Sequence, residues 1–123
     1  MGDQTPRRLD AATVADLLNA QTEYGNPTFI RQLVGIYQAN APARVAGIRD
    51  AIAARDAVTL ERVAHTLRSN CAMLGALEMA AVCATIEQHG AAAAFDAAAA
   101  AAGDLDAELA RVLAALDDLL KEV

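Results

Sequence analysis

Apolar residues recur every three or four positions along most of the chain, the spacing of amphipathic helices. Asp10 precedes Val14, Leu17 and Leu18, which predicts a first short helix capped by Asp10. Tyr24-Gly25-Asn26-Pro27 ends that pattern, and Pro27 suits the first position of a second helix with Asn26 as its cap. Ile30, Leu33, Val34, Tyr37, Ala41, Val45, Ile48 and Ile52 then keep one phase over many turns. At about 100° per residue the stripe returns to within roughly 40° of its start. Pro42 costs a backbone hydrogen bond, yet the unbroken phase favours one long helix over two with a break near 39–42.

Asp56 opens a third helix, which Asp56 or Thr59 could cap, with a stripe of Leu60, Val63, Ala64, Leu67, Cys71 and Leu74 that Gly75 is suited to end. A fourth carries Met79, Val82, Cys83 and Ile86 and is expected to stop at Gly90. Residues 91–102 are nearly all Ala, with Phe95 and Asp96, and read as a loosely held helix or connector. The last stripe runs Leu105, Leu109, Val112, Leu113, Leu116, Leu119 and Leu120. The sum is an all-α chain: an antiparallel four-helix bundle with an additional short N-terminal helix. Residues 1–8 read as a disordered tail and 9–123 as one domain, with no internal repeat.

Composition narrows the picture. The 123 residues contain 32 Ala and four aromatics, so the core is thin and depends on close helix packing. A formal net charge of -6 argues against a nucleic-acid or anionic-membrane partner. No apolar run is long enough to span a membrane, and the polar start lacks the apolar segment of a signal peptide. A cytoplasmic location is expected, with Cys71 and Cys83 reduced and buried rather than paired. No Cys-x-x-Cys or His-x-x-x-His spacing supports a metal site from His65, His89 and the cysteines. The carboxylates Asp104, Asp106, Asp117 and Asp118 read as solvated faces, and His89, near a helix end, as structural.

The candidate chemistry lies around His65. With the core stripe of the third helix at zero, His65 falls about 140° away, Arg68 about 80°, Ser69 about 180° and Ala72 about 120°. All four share an outward sector. Imidazole is a good nucleophile near neutral pH, and can attack an activated phosphorus to form a phosphoramidate that still passes the group on. The group brings about two negative charges, which the Arg68 fork can reach. Small residues at 69 and 72 leave room for a partner to close on the histidine. An exposed His with Arg three positions on is nevertheless common on helices, so geometry permits this chemistry without demanding it.

The segment His65-Thr66-Leu67-Arg68-Ser69-Asn70, followed by Leu74-Gly75-Ala76, resembles histidine-containing phosphotransfer (HPt) domains of multistep two-component relays. Their motif runs His-x-Leu-Lys-Gly-Ser, then Leu-Gly-Ala. The segments Phe29-Ile30 to Tyr37, Ile52 to Asp56 and Val82-Cys83 to Ile86-Glu87 also look like the family, so the likeness covers roughly residues 27–120. The resemblance implies that His65 is the phosphoacceptor, and that Arg68, in place of the usual lysine, meets the phosphoryl group. Ser69 stands where the family usually has glycine, and Asn70 where it has serine. Glu87 stands where a polar residue often hydrogen-bonds the histidine, and Glu61 and Ala72 become partner-docking positions. The implied partners are response-regulator receiver domains and a hybrid sensor histidine kinase. The chain itself is expected to be a monomeric phosphocarrier rather than an enzyme. It has no Gly-rich nucleotide-binding segment and no cofactor, Mg²⁺ being held by the partner receiver. The competing readings are a helical adaptor that binds a receiver or kinase without carrying phosphate, and a protein that dimerises through its Ala-rich segment.

Overall fold

The computed structural model describes residues 8–123. Its elements are α1 (Ala11–Glu23), α2 (Phe29–Ala54), α3 (Ala57–Met73), α4 (Leu77–Ala91), α5 (Phe95–Ala101) and α6 (Leu105–Leu120). The described residues are all-helical. α2, α3, α4 and α6 touch in a closed ring: α2 on α3, α3 on α4, α4 on α6 and α6 on α2. The expected tail falls on residues 1–7, which lie outside the described residues, and on Arg8. Arg8 is held in place: it pairs with Glu78 on α4 and lies 3.6 Å from the buried Glu108 on α6.

Local signals explain most boundaries. Asp10 accepts from the Thr13 amide at 3.0 Å and caps α1, and Asp56 accepts from the Thr59 amide at 3.1 Å and caps α3. The start of α2 differs from expectation. Pro27 lies outside the helix, because Asn26 turns its side chain onto the Thr28 amide instead, and α2 begins at Phe29. α2 then runs unbroken through Pro42. Pro42 is exposed, while Tyr37, Ala41 and Val45 on the opposite face are buried, so packing on that face outweighs the lost hydrogen bond.

Gly75 ends α3 with φ +80°. The Ala76 amide reaches the Cys71 carbonyl at 2.8 Å and the Gly75 amide reaches that of Ala72 at 3.1 Å, which together form a Schellman motif. The Gly75 carbonyl accepts from the Asp10 amide at 2.7 Å, and an added Cβ would lie 3.0 Å from Thr13 Cβ. Gly90 does not stop α4 as expected. α4 continues to Ala91, and Ala93 takes the left-handed position at φ 53° while the Ala94 amide bonds the His89 carbonyl.

Residues 91–102 are also better anchored than expected. Ala98 is fully buried, Ala102 nearly so, and Phe95 lies under the Arg55 guanidinium, 5.5 Å from ring centroid to Cζ. Small size lets an alanine helix pack closely without large side chains. Small residues are buried on α3 and α4 as well: Ala64 and Cys71 on the first, Ala80 and Cys83 on the second. Tyr37 sets its hydroxyl 3.4 Å from Cys71 Sγ and 3.3 Å from Met79 Sδ. Burial pushes that hydroxyl up and keeps it neutral.

Gly75→Ala is expected to lower stability by roughly 1–3 kcal/mol, because the left-handed backbone and the contact with α1 both oppose a methyl group. Urea unfolding measures this, and an unchanged midpoint would contradict it.

Candidate functional site

α3 and α4 pack against each other along their length, and this sets two polar side chains face to face. His65 lies on α3 with Leu67 and Ala64 buried behind it, so its ring projects outward with 55% of the side chain exposed. Glu87 on α4 is one residue past the buried Ile86 and only 23% exposed. Its Oε2 lies 2.9 Å from His65 Nδ1, and its Oε1 accepts from Arg68 Nε at 2.8 Å. Arg68 also places Nη2 3.0 Å from the same Nδ1.

These contacts constrain the proton. A guanidinium only donates and a carboxylate only accepts, so Nδ1 cannot satisfy both neighbours at once. Partial desolvation pushes the Glu87 carboxyl up, but hydrogen bonds from His65 and Arg68, with the charge of Arg68, outweigh it and hold it below the ordinary 4.5. Glu87 is thus a carboxylate at neutral pH. The Glu87 carboxylate favours a protonated Nδ1 that donates to it, which leaves the free lone pair on Nε2, whereas the Arg68 guanidinium favours the opposite tautomer. Arg68 Nε is committed to Glu87, and its Nη2 lies beside the ring.

The remaining sequence candidates share this surface. Ser69, Ala72 and Glu61 are all exposed on α3, without a described hydrogen bond from Ser69 or Glu61 side chains. Asn70 is half-buried and lines a shallow 240 Å³ groove with Leu33, Ile36, Tyr37, Met73 and Leu74. Met73 and Ile36 are well exposed there, 58% and 59%. His89 sits in the last turn of α4 and takes no part in the hydrogen bonds among His65, Arg68 and Glu87. Cys71 and Cys83 are free and buried, and contact with Cys71 together with burial pushes the Cys83 thiol up. Among the described residues, no group of three His, Cys, Asp or Glu is arranged to hold a metal ion. Nor is any described helix long and apolar enough to cross a membrane.

Gly90, expected only as a helix end, lies at this interface. An added Cβ at the buried Gly90 would meet the backbone of Glu61 on α3. The signal was present, since Met79, Cys83, Ile86 and Gly90 fall on one stripe at four-, three- and four-residue steps.

The model of the Hpt domain family matches residues 32–121. Among solved structures, histidine-containing phosphotransfer protein B (HptB) from Pseudomonas aeruginosa PAO1 matches with a TM-score of 0.83. Sequence identity is 20%, over 98% of this chain and 99% of that one, so the likeness speaks to the fold. No curated protein matches the sequence.

The Nδ1–H form of His65 is expected to dominate in nitrogen-15 spectra of the neutral ring, and Glu87→Ala should shift the balance toward Nε2–H. A neutral His65 with bare Nδ1 in the unmodified protein would contradict the assignment. The folded carboxyl of Glu87 is lowered, so its bond to His65 is fully present above pH 4.5 and is lost as pH falls through the depressed value.

Proposed function

The chain belongs to the Hpt domain family, and from that premise we propose that it relays a phosphoryl group through His65 between receiver-domain aspartates in a two-component phosphorelay. The observation that carries the reading is the Nδ1–Glu87 contact of 2.9 Å, which favours a free lone pair on the solvent-facing nitrogen. In the step, Nε2 attacks the phosphorus of an aspartyl phosphate. A P–N bond forms, the P–O bond to the aspartate breaks, and the aspartate leaves as a carboxylate. The ring becomes a phosphorylated imidazolium, whose charge the Glu87 carboxylate offsets through Nδ1–H. Return of the group to a second aspartate expels neutral imidazole.

The other residues take supporting roles. Arg68 orients and neutralises the phosphoryl oxygens with its Nη donors. Ser69 and Ala72 keep the approach to Nε2 open, and Glu61 borders the docking face. A hybrid sensor histidine kinase and response-regulator receivers are the partners this reading implies, with Mg²⁺ bound by the receiver and no nucleotide or cofactor site in this chain. We read the protein as a monomeric cytoplasmic phosphocarrier. We also read the ring of α2, α3, α4 and α6 as an antiparallel four-helix bundle over one 9–123 domain, with α1 and α5 added to it. The cross-helix pairs Arg49–Asp106 and Gln38–Asp117 support opposite directions for α2 and α6.

The test is incubation with a phosphorylated receiver domain. Acid-labile, alkali-stable label should appear on the protein and vanish in His65→Gln. Absence of label, or label that survives the substitution, sinks the proposal. Binding that persists in His65→Gln without any transfer would favour the adaptor reading. Arg68→Ala should slow transfer or shorten the life of the phosphohistidine by roughly tenfold while leaving helix content unchanged. Ser69→Phe should block transfer from the receiver without unfolding the protein. Unaltered transfer kinetics in either variant would remove that residue from the site.

A further inference from the structure

We infer that Gly90 is a positioning residue for His65: it lets α4 approach the backbone of α3 and so sets the distance at which Glu87 meets the imidazole. The inference deepens the phosphocarrier reading and rests on it. Glycine is disfavoured in a helix relative to alanine, and this chain uses alanine at four consecutive positions directly after Gly90. A glycine inside α4 therefore calls for a packing reason.

The geometry says why. An ideal Cβ on Gly90 would lie 3.1 Å from the Glu61 amide nitrogen, 3.2 Å from Leu60 Cγ and 3.3 Å from Glu61 Cα. Two of these three atoms are backbone and cannot swing aside, so a methyl group forces the two helices apart by a few tenths of an ångström. Other helical glycines differ. A Cβ on Gly47 would meet only Val63 Cγ1, at 3.6 Å, and one on Gly35 would meet nothing within 4 Å.

The contact lies close to the site on both helices. Gly90 is three residues beyond Glu87, and Glu61 is four before His65, which at 1.5 Å per residue is about 4.5 Å and about 6 Å along the axes. The Glu87 contacts to His65 and Arg68 are 2.9 and 2.8 Å, near the optimum for charged hydrogen bonds. A shift of α4 relative to α3 at Gly90 is transmitted to that pair, because α4 continues as a rigid helix from Glu87 through Gly90. Gly90 touches no reacting atom and acts only through Glu87.

The test compares Gly90→Ala with Gly47→Ala as control. Two quantities are read: transfer from a phosphorylated receiver, and titration of the Glu87 carboxyl by carbon-13 NMR. In Gly90→Ala the carboxyl should titrate nearer the ordinary 4.5, and transfer should fall about tenfold with the helical spectrum retained. Gly47→Ala should change neither. In a Glu87→Ala background, Gly90→Ala should cost no further transfer. Unchanged titration and transfer in Gly90→Ala overturn the inference, as does an equal loss in the Glu87→Ala background. If Gly90→Ala does not fold, Leu60→Met is added, since its unbranched chain yields to the new methyl while the Glu61 backbone contact remains. If that pair also fails to fold, Gly90 is a stability residue and the inference falls. The titration needs no phosphoryl transfer, so a failed phosphocarrier reading would show separately, as a wild-type protein that never takes label.

Discussion

The structure depends on how closely α3 and α4 can approach. Where they meet, Gly90 lies against the Glu61 backbone and Leu60, and the buried Cys71 and Cys83 face each other. In a chain with 32 Ala and four aromatics, small interlocking surfaces must supply what bulk does elsewhere. The same closeness makes the site. His65 belongs to one helix and Glu87 to the other, and neither helix alone could hold an imidazole against a carboxylate.

That pairing determines the electrostatics. Glu87 stands between two donors and is partly covered, so it is ionised and directional rather than a mobile surface charge. It orients the ring through Nδ1 and tethers Arg68 through Nε. One acidic residue thus holds an imidazole and a guanidinium side by side on the surface of a chain with net charge -6. In the proposed reaction the arriving dianionic group meets Arg68, while the ring charge that develops on attack meets Glu87. Both charges are answered by groups already in position, which limits reorganisation during transfer.

Much of this was legible in the sequence, where one rule acted alone. The stripes of α2, α3, α4 and α6 follow from periodicity and the cap at Asp10 from side-chain chemistry, while for α3 the sequence offered Asp56 or Thr59 and Asp56 is the cap. The outward sector of His65, Arg68, Ser69 and Ala72 followed from helical angles. Legibility failed where two rules competed. Asn26-Pro27 had the form of a cap and first turn, but the Asx-type bond to Thr28 won. Gly90 had the composition of a helix end, yet tertiary packing against Glu61 placed it within α4, and Ala93 took the left-handed turn. The Ala-rich stretch looked weak because alanine contributes little apolar area. Its small size lets Ala98 bury completely, which propensity does not register. The Glu87 contact was expected from family likeness, but its bond to Nδ1 and its second bond to Arg68 depend on the α3–α4 register, which one sequence does not display.

The proposed relay requires Nε2 of His65 to accept the phosphoryl group. The most direct measurement is a nitrogen-15 spectrum of histidine-labelled protein after reaction with a phosphorylated receiver. It should show one ring coupled to phosphorus through Nε2, assigned to His65, with Nδ1 still protonated and the ring of His89 unaltered. Phosphorus on Nδ1 of His65, or on His89, would contradict it.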